Sequence, residues 1–174
     1  MRTEDVEAVA ARLASAVDRR LVITGGEPLL QDRALVVLLA LLPDSLPVEV
    51  ETNGTITPSA PLLARVNQWN VSPKLGNSGE PRERRIARNA LEALRDTDRA
   101  WLKLVVQTKE DADEAEALVE SLSFPRHRVL LMPQATTRAE LAERTPLVSL
   151  WARDRRMGVS PRLHVERWEG RRGV

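Results

Sequence analysis

The chain has 174 residues, of which 43% are hydrophobic and 29% charged, a size and composition that suit one globular domain with its own core. Its 26 basic side chains against 25 acidic ones leave a formal charge of +1, without the electropositive excess of a general nucleic-acid binder. A cysteine count of zero excludes disulfides, thiolate metal sites and cysteine nucleophiles supplied by this chain.

At the N-terminus, MRTEDVEAVAARL carries acidic residues where a secretory signal has a basic stretch and an apolar run, and no segment approaches 18 apolar residues. A cytoplasmic protein is expected, with a small-molecule ligand and with neither a membrane nor a nucleic acid as partner. Thr3 is a candidate cap for a first helix, with Glu4 and Asp5 in its first turn and an apolar stripe of Val6, Val9, Ala10, Leu13 and Val17. A strand follows from Leu21 to Thr24 and ends at Gly25-Gly26. Pro28 suits a helix start, and helical spacing runs from Leu29 to Leu42. The next strand, Pro47 to Glu51, is closed by Asn53-Gly54.

After a short helix near Leu62 to Val66, Trp69 to Ser72 reads as a third strand, and a loop rich in Gly, Asn, Ser and Pro covers Pro73 to Pro81. A helix from Glu83 to Leu94 precedes the strand Trp101 to Val106. Glu110 to Leu122 is helical, Val129 to Met132 is a strand, and Arg138 to Met157 is helical with Pro146 breaking or kinking it. Arg162 to Val165 is read as the sixth and last strand. Strands alternating with helices predict an α/β fold with a mainly parallel sheet, in one domain over residues 1–174. A crossover-type helix with no strand before it makes the series look cut at its left edge, unless it is a genuine N-terminal helix covering a sheet edge.

The polar signatures fall at the carboxyl ends of these strands, where parallel α/β sheets bind ligands. They are Thr24-Gly25-Gly26-Glu27-Pro28, Glu51 through Thr55, Ser72-Pro73-Lys74, Met132-Pro133-Gln134 and His164. Gly25-Gly26 permits close backbone approach to a ligand, and Glu27 offers a carboxylate to an ammonium group; an ordinary strand-to-helix turn accounts for the same residues. Asn53-Gly54 is by itself a common turn, and Thr52 or Thr55 is a candidate helix cap. Glu51 shares a strand face with Glu49, so it either points inward toward a polar partner or lies on a solvated edge. Ser72 and Lys74 offer a hydroxyl and an ammonium, suited to a ribose and a carboxylate. Lys103 interrupts an apolar strand, which calls for a partner, a function or snorkelling to the rim. A lone His164 is more often a hydrogen-bonded core residue than a catalyst, and the basic tail with the Val174 carboxylate is surface by default.

Taken together, LVITGGEPLLQ, VEVETNGT, WNVSPKLGNSG, LKLVV, LLMPQ and PRLHVERW resemble the 7-carboxy-7-deazaguanine synthase family of radical S-adenosylmethionine enzymes, across Leu21 to Val174. The resemblance implies an incomplete (β/α) barrel and a ring contraction of 6-carboxy-5,6,7,8-tetrahydropterin to 7-carboxy-7-deazaguanine on the queuosine route, with a [4Fe-4S] cluster, S-adenosylmethionine and Mg²⁺. It also implies a homodimer. By the same resemblance Gly25, Gly26 and the Glu27 turn bind the methionine end of S-adenosylmethionine, Ser72, Pro73 and Lys74 its ribose side, and Met132, Pro133, Gln134 and Ala135 its adenine. Thr24, Glu51, His164 and the carboxylate of Val174 correspond to pterin contacts.

The chain departs from that family in one respect: the CxxxCxxC loop that holds the cluster, with the neighbouring threonine that helps bind Mg²⁺, has no counterpart in it. Three readings follow. The first is a synthase lacking its N-terminal cluster segment and inactive as an isolated chain. The second is a cluster-free paralogue that binds S-adenosylmethionine or a pterin without catalysis. The third is a structural partner that pairs an open strand edge with another chain.

Overall fold

Six strands stand side by side in chain order, every neighbouring pair parallel, and the sheet they form does not close on itself. The computed structural model describes residues 5–15 and 20–169. Its elements are α1 (Val6–Ser15), β1 (Leu21–Ile23), α2 (Asp32–Ala40), β2 (Val48–Thr52), α3 (Ala60–Arg65), β3 (Gln68–Val71), α4 (Arg82–Arg85), α5 (Arg88–Arg95), β4 (Ala100–Val106), α6 (Lys109–Ser121), β5 (Val129–Pro133), α7 (Arg138–Asp154), β6 (Gly158–Val159) and α8 (Leu163–Trp168). This is the α/β fold with a parallel sheet expected from the alternation of periods, and its unclosed sheet is consistent with the incomplete barrel that the family resemblance implies. Among the described residues no helix is long and apolar enough to cross a membrane.

The two faces of the sheet differ because successive side chains point to opposite sides. On β4, Ala100, Leu102, Leu104 and Val106 are buried toward the helices, whereas Trp101, Lys103 and Val105 are half-buried on the other face. The same alternation puts Val48 and Val50 of β2, Trp69 and Val71 of β3 and Val129 and Leu131 of β5 into one apolar core with Ala112, Ala115 and Leu118 of α6. The opposite, concave face carries Glu49, Glu51, Gln68, Asn70 and Lys103. One face of each strand builds the fold and the other is left for polar work.

Several elements differ from the sequence reading. The sixth strand is Gly158–Val159, not Arg162 to Val165. Ser160 still donates its N–H to the Leu131 carbonyl at 2.9 Å, but Pro161 has no N–H to continue the ladder, and the apolar-polar alternation beyond it belongs to the short helix α8. The helix expected over Glu83 to Leu94 is split into α4 and α5 at Ile86-Ala87. Buried Arg85 is the last residue before the break, and its guanidinium turns back to the Glu80 and Lys74 carbonyls at 3.1 Å each. The helix expected from Leu29 begins as a 3₁₀ turn over Pro28–Gln31 before α2. Pro146 sits inside α7 without ending it. Thr3 and Val17 lie outside the described residues.

Candidate functional site

The carboxyl ends of the strands surround a cleft of about 510 Å³ on the concave face. Thr24, Gly25 and Gly26 after β1, Glu51 and Asn53 around the end of β2, Ser72 after β3, Lys103 on β4, Met132 on β5 and His164 on α8 all line it. Segments scattered over the whole chain therefore meet at one mouth. A second groove of about 280 Å³ shares Ser72 with the first and is lined by Pro73, Lys74, Gln134 and Ala135.

The two glycines leave room. Gly25 has φ +144°, where side chains are rarely tolerated, so its backbone requires glycine. Gly26 is not in that region, and a Cβ built on it would meet nothing within 4 Å. Neither strain nor packing against protein calls for a glycine there; a methyl group would stand in the open cleft. Gly54 is the opposite case, since at φ +73° a Cβ would come within 2.6 Å of Leu91 Cδ2 and 2.8 Å of Val71 Cγ1. Its role is to let the turn after β2 press onto the core.

Glu27 ties two rim loops together. Its Oε1 accepts the Leu29 N–H at 3.1 Å, capping the 3₁₀ turn, and the Thr52 hydroxyl at 2.8 Å, while its Oε2 accepts the Asn53 N–H at 2.8 Å. Three protein donors engage this carboxylate, and Glu27 is not among the cleft-lining residues. Thr52 and Thr55 do not cap α3: Thr52 serves Glu27 and the Gly54 N–H, and Thr55 donates to Asn53 Oδ1. Glu51 points inward, the first of the two orientations open to it, and accepts the Thr24 hydroxyl on Oε2 at 2.9 Å. Glu49, two residues back on the same face, is held by Arg20 and Asn70.

The third rim segment is fixed from below. Ser72 donates its hydroxyl to the Lys103 carbonyl at 2.9 Å, and Asn77 donates to the Val105 carbonyl at 3.0 Å. Arg85 pairs with Glu114 at 2.7 Å, and Glu114 in turn accepts the Gly76 N–H at 2.7 Å, so α6 anchors the loop after β3. Lys74 remains exposed. Beyond β5, alternation separates neighbours: Met132 faces the cleft, Gln134 and Ala135 face the second groove, and Pro133 turns to an apolar groove against α7 that includes Leu141 and Pro146.

His164 reaches the cleft from a helix, not from the strand expected for it, and it is exposed. Its Nε2 lies 3.5 Å from Arg162 Nη2. Arg162 lines the second groove with its Nε buried and without an acceptor, and burial pulls its guanidinium below its ordinary pKa. Lys103 is half-buried on the cleft wall, and among the described residues its ammonium makes no hydrogen bond or ion pair. Val174 lies outside the described residues. Sequence reasoning missed Asn70 and Arg162. Asn70 was legible, because it shares the two-residue period with Ser72; Arg162 was hidden by the mistaken strand.

The metal donors are sparse. Among the described residues no group of three or more His, Asp or Glu side chains could hold an ion, and the chain has no cysteine. No protein-family model matches the chain. Curated relatives do. A 7-carboxy-7-deazaguanine synthase of Pyrobaculum aerophilum is 38% identical over 170 residues, 96% of this chain and 73% of the relative. Those of Halobacterium salinarum and Hyperthermus butylicus are 37% and 34% identical, over 84% and 92% of this chain and 64% and 70% of their own lengths. With that identity sustained across nearly all of its length, the chain belongs to the 7-carboxy-7-deazaguanine synthase family.

Proposed function

We propose that this chain forms the S-adenosylmethionine- and pterin-binding part of a 7-carboxy-7-deazaguanine synthase. What supports the reading is the convergence of Thr24, Gly26, Glu51, Ser72, Met132 and His164 on one cleft at the carboxyl ends of parallel strands, in a chain whose relatives carry that name. Gly25 and Gly26 receive the methionine end of the cofactor in the space that no side chain fills. Glu27 acts through the turn it holds, keeping the loops after β1 and β2 at a fixed spacing. Ser72, Pro73 and Lys74 take the ribose side, and Met132, Gln134 and Ala135 border the adenine, with Pro133 setting the turn between them. Thr24, Glu51 and His164 contact the pterin, and Val174 is assigned to it by family resemblance alone.

S-adenosylmethionine held at this rim would supply radical chemistry for the ring contraction only where a reduced [4Fe-4S] cluster from outside this chain stood beside it. With no cysteine the chain does not fit that cluster, which takes three thiolates in the family, and among the described residues no group of His, Asp or Glu builds a Mg²⁺ site. The chain therefore binds its ligands and makes no 7-carboxy-7-deazaguanine by itself.

Anaerobic reconstitution with iron and sulfide, followed by an assay for deazaguanine product, tests the second statement. No product is expected, and turnover would overturn it. Calorimetric titration tests the first: S-adenosylmethionine binds if the reading holds, and the absence of binding to both cofactor and pterin contradicts it.

A further inference from the structure

Among the described residues Lys103 is the one cleft-lining ammonium, and the fold gives it nothing to do. Among the described residues that line the cleft there is a single carboxylate, Glu51, and no ion pair joins the two. Register explains their separation. Glu51 pairs with Asn70 and Asn70 with Trp101, so Glu51 and β4 stand two strands apart, and Lys103 lies a further two residues along. The two backbones are thus offset by about 10 Å across the sheet and about 7 Å along it. The cleft is bipolar, with an acceptor-only group at the β2 side and a donor-only group at the β4 side.

A half-buried ammonium without a partner is costly to keep unless a ligand supplies the anion. We propose, on the basis of the functional reading above, that Lys103 binds the carboxylate of a carboxylated pterin or deazapurine and so sets which way round the ring lies in the cleft. The opposite end of such a ring is a 2-amino-4-oxopyrimidine edge, whose adjacent N–H groups suit Glu51. Among the described residues Glu51 is engaged on Oε2 alone, by Thr24, so Oε1 is available to accept one of these donors. A ligand with donors at one end and a carboxylate at the other matches both poles; a ligand without the carboxylate leaves Lys103 unpaired.

The test compares dissociation constants for 7-carboxy-7-deazaguanine and for 7-deazaguanine, with and without S-adenosylmethionine, by calorimetry on the 174-residue chain. The wild-type chain should favour the carboxylated ligand by about tenfold or more, and the preference should shrink as salt is raised. Lys103→Gln should abolish the preference, and Lys103→Arg should retain it. If Lys103→Gln does not fold, the wild-type comparison and its salt dependence decide by themselves. Equal affinity for the two ligands, or a preference that survives in Lys103→Gln, overturns this inference and leaves the functional reading standing. Failure to bind either ligand overturns this inference, and the functional reading falls with it only if S-adenosylmethionine and the pterin also fail to bind.

Discussion

Glu27 and Thr52 are 25 residues apart in the chain, yet the Thr52 hydroxyl donates to Glu27 Oε1 at 2.8 Å. Together with the Asn53 N–H on Oε2, this bond fastens the loop that follows β1 to the loop that follows β2. The glycine pair lies in the first of these loops and Glu51 stands at the end of β2, next to the second, so the shape of the cleft at its β1 side depends on one carboxylate.

Glu27→Ala should therefore destabilise the protein by about 2–4 kcal/mol, since it leaves three donors without their acceptor. Urea unfolding measures the loss. Glu27→Gln, which keeps one acceptor oxygen, should lose less. If the alanine variant is as stable as wild type, the carboxylate is not a fastening and its part in the site must be another.

Gly26→Ala and Gly54→Ala should fail in opposite ways. A Cβ on Gly26 meets no protein atom within 4 Å, so that variant should keep wild-type stability within about 0.5 kcal/mol and lose S-adenosylmethionine affinity. A Cβ on Gly54 collides with Leu91 and Val71 at a positive φ, so that variant should lose about 2 kcal/mol or more. Thermal unfolding and ligand titration of both variants separate a glycine kept for a ligand from one kept for packing.

Much of this was legible in the sequence because strands and helices leave different periods. The βα order, five of the six strands and the gathering of Gly26, Glu51, Ser72 and Met132 at one rim follow from apolar spacing and from where the polar residues fall. Short-range ambiguity defeated the rest. Arg162 to Val165 alternates like a strand over too few residues to distinguish it from a helix turn, and only Pro161 marked the end of the ladder. The split between α4 and α5 falls beside Arg85, whose reach to Lys74 and Glu114 is a tertiary contact with no local signature. Glu27 looked like a ligand group because its partners, Thr52 and Asn53, come from a distant loop.

Arg85→Ala should loosen the loop after β3. Its guanidinium is buried and bonds two loop carbonyls as well as Glu114, so the loss should be about 3 kcal/mol. Hydrogen exchange at Gly76 and Asn77 should quicken by more than at β4. Unchanged protection in this loop would show that Ser72 and Asn77 suffice to hold it.

Acid should weaken the molecule partly through Glu140 and Asp113. The Thr136 N–H and hydroxyl and the Thr137 N–H hold the Glu140 carboxyl below its ordinary pKa, and Lys109 and Arg155 do the same for Asp113. Each contributes stability that is present above the unfolded carboxyl pKa, about 4, and is lost as pH falls through the lower folded value. Melting temperatures followed from neutral pH down to about pH 3 should fall less steeply in Glu140→Gln than in wild type. Equal slopes would remove Glu140 from the account.

An adenosyl cofactor is expected to lie across the rim cleft and the groove that joins it at Ser72. Amide chemical-shift mapping of the ¹⁵N-labelled chain during titration with S-adenosylmethionine tests it most directly. The account predicts saturable shifts concentrated at Gly25, Gly26, Ser72, Gln134 and Ala135, with the helical face of the sheet silent. Shifts confined to residues away from that rim, or no saturable shifts at all, would contradict it.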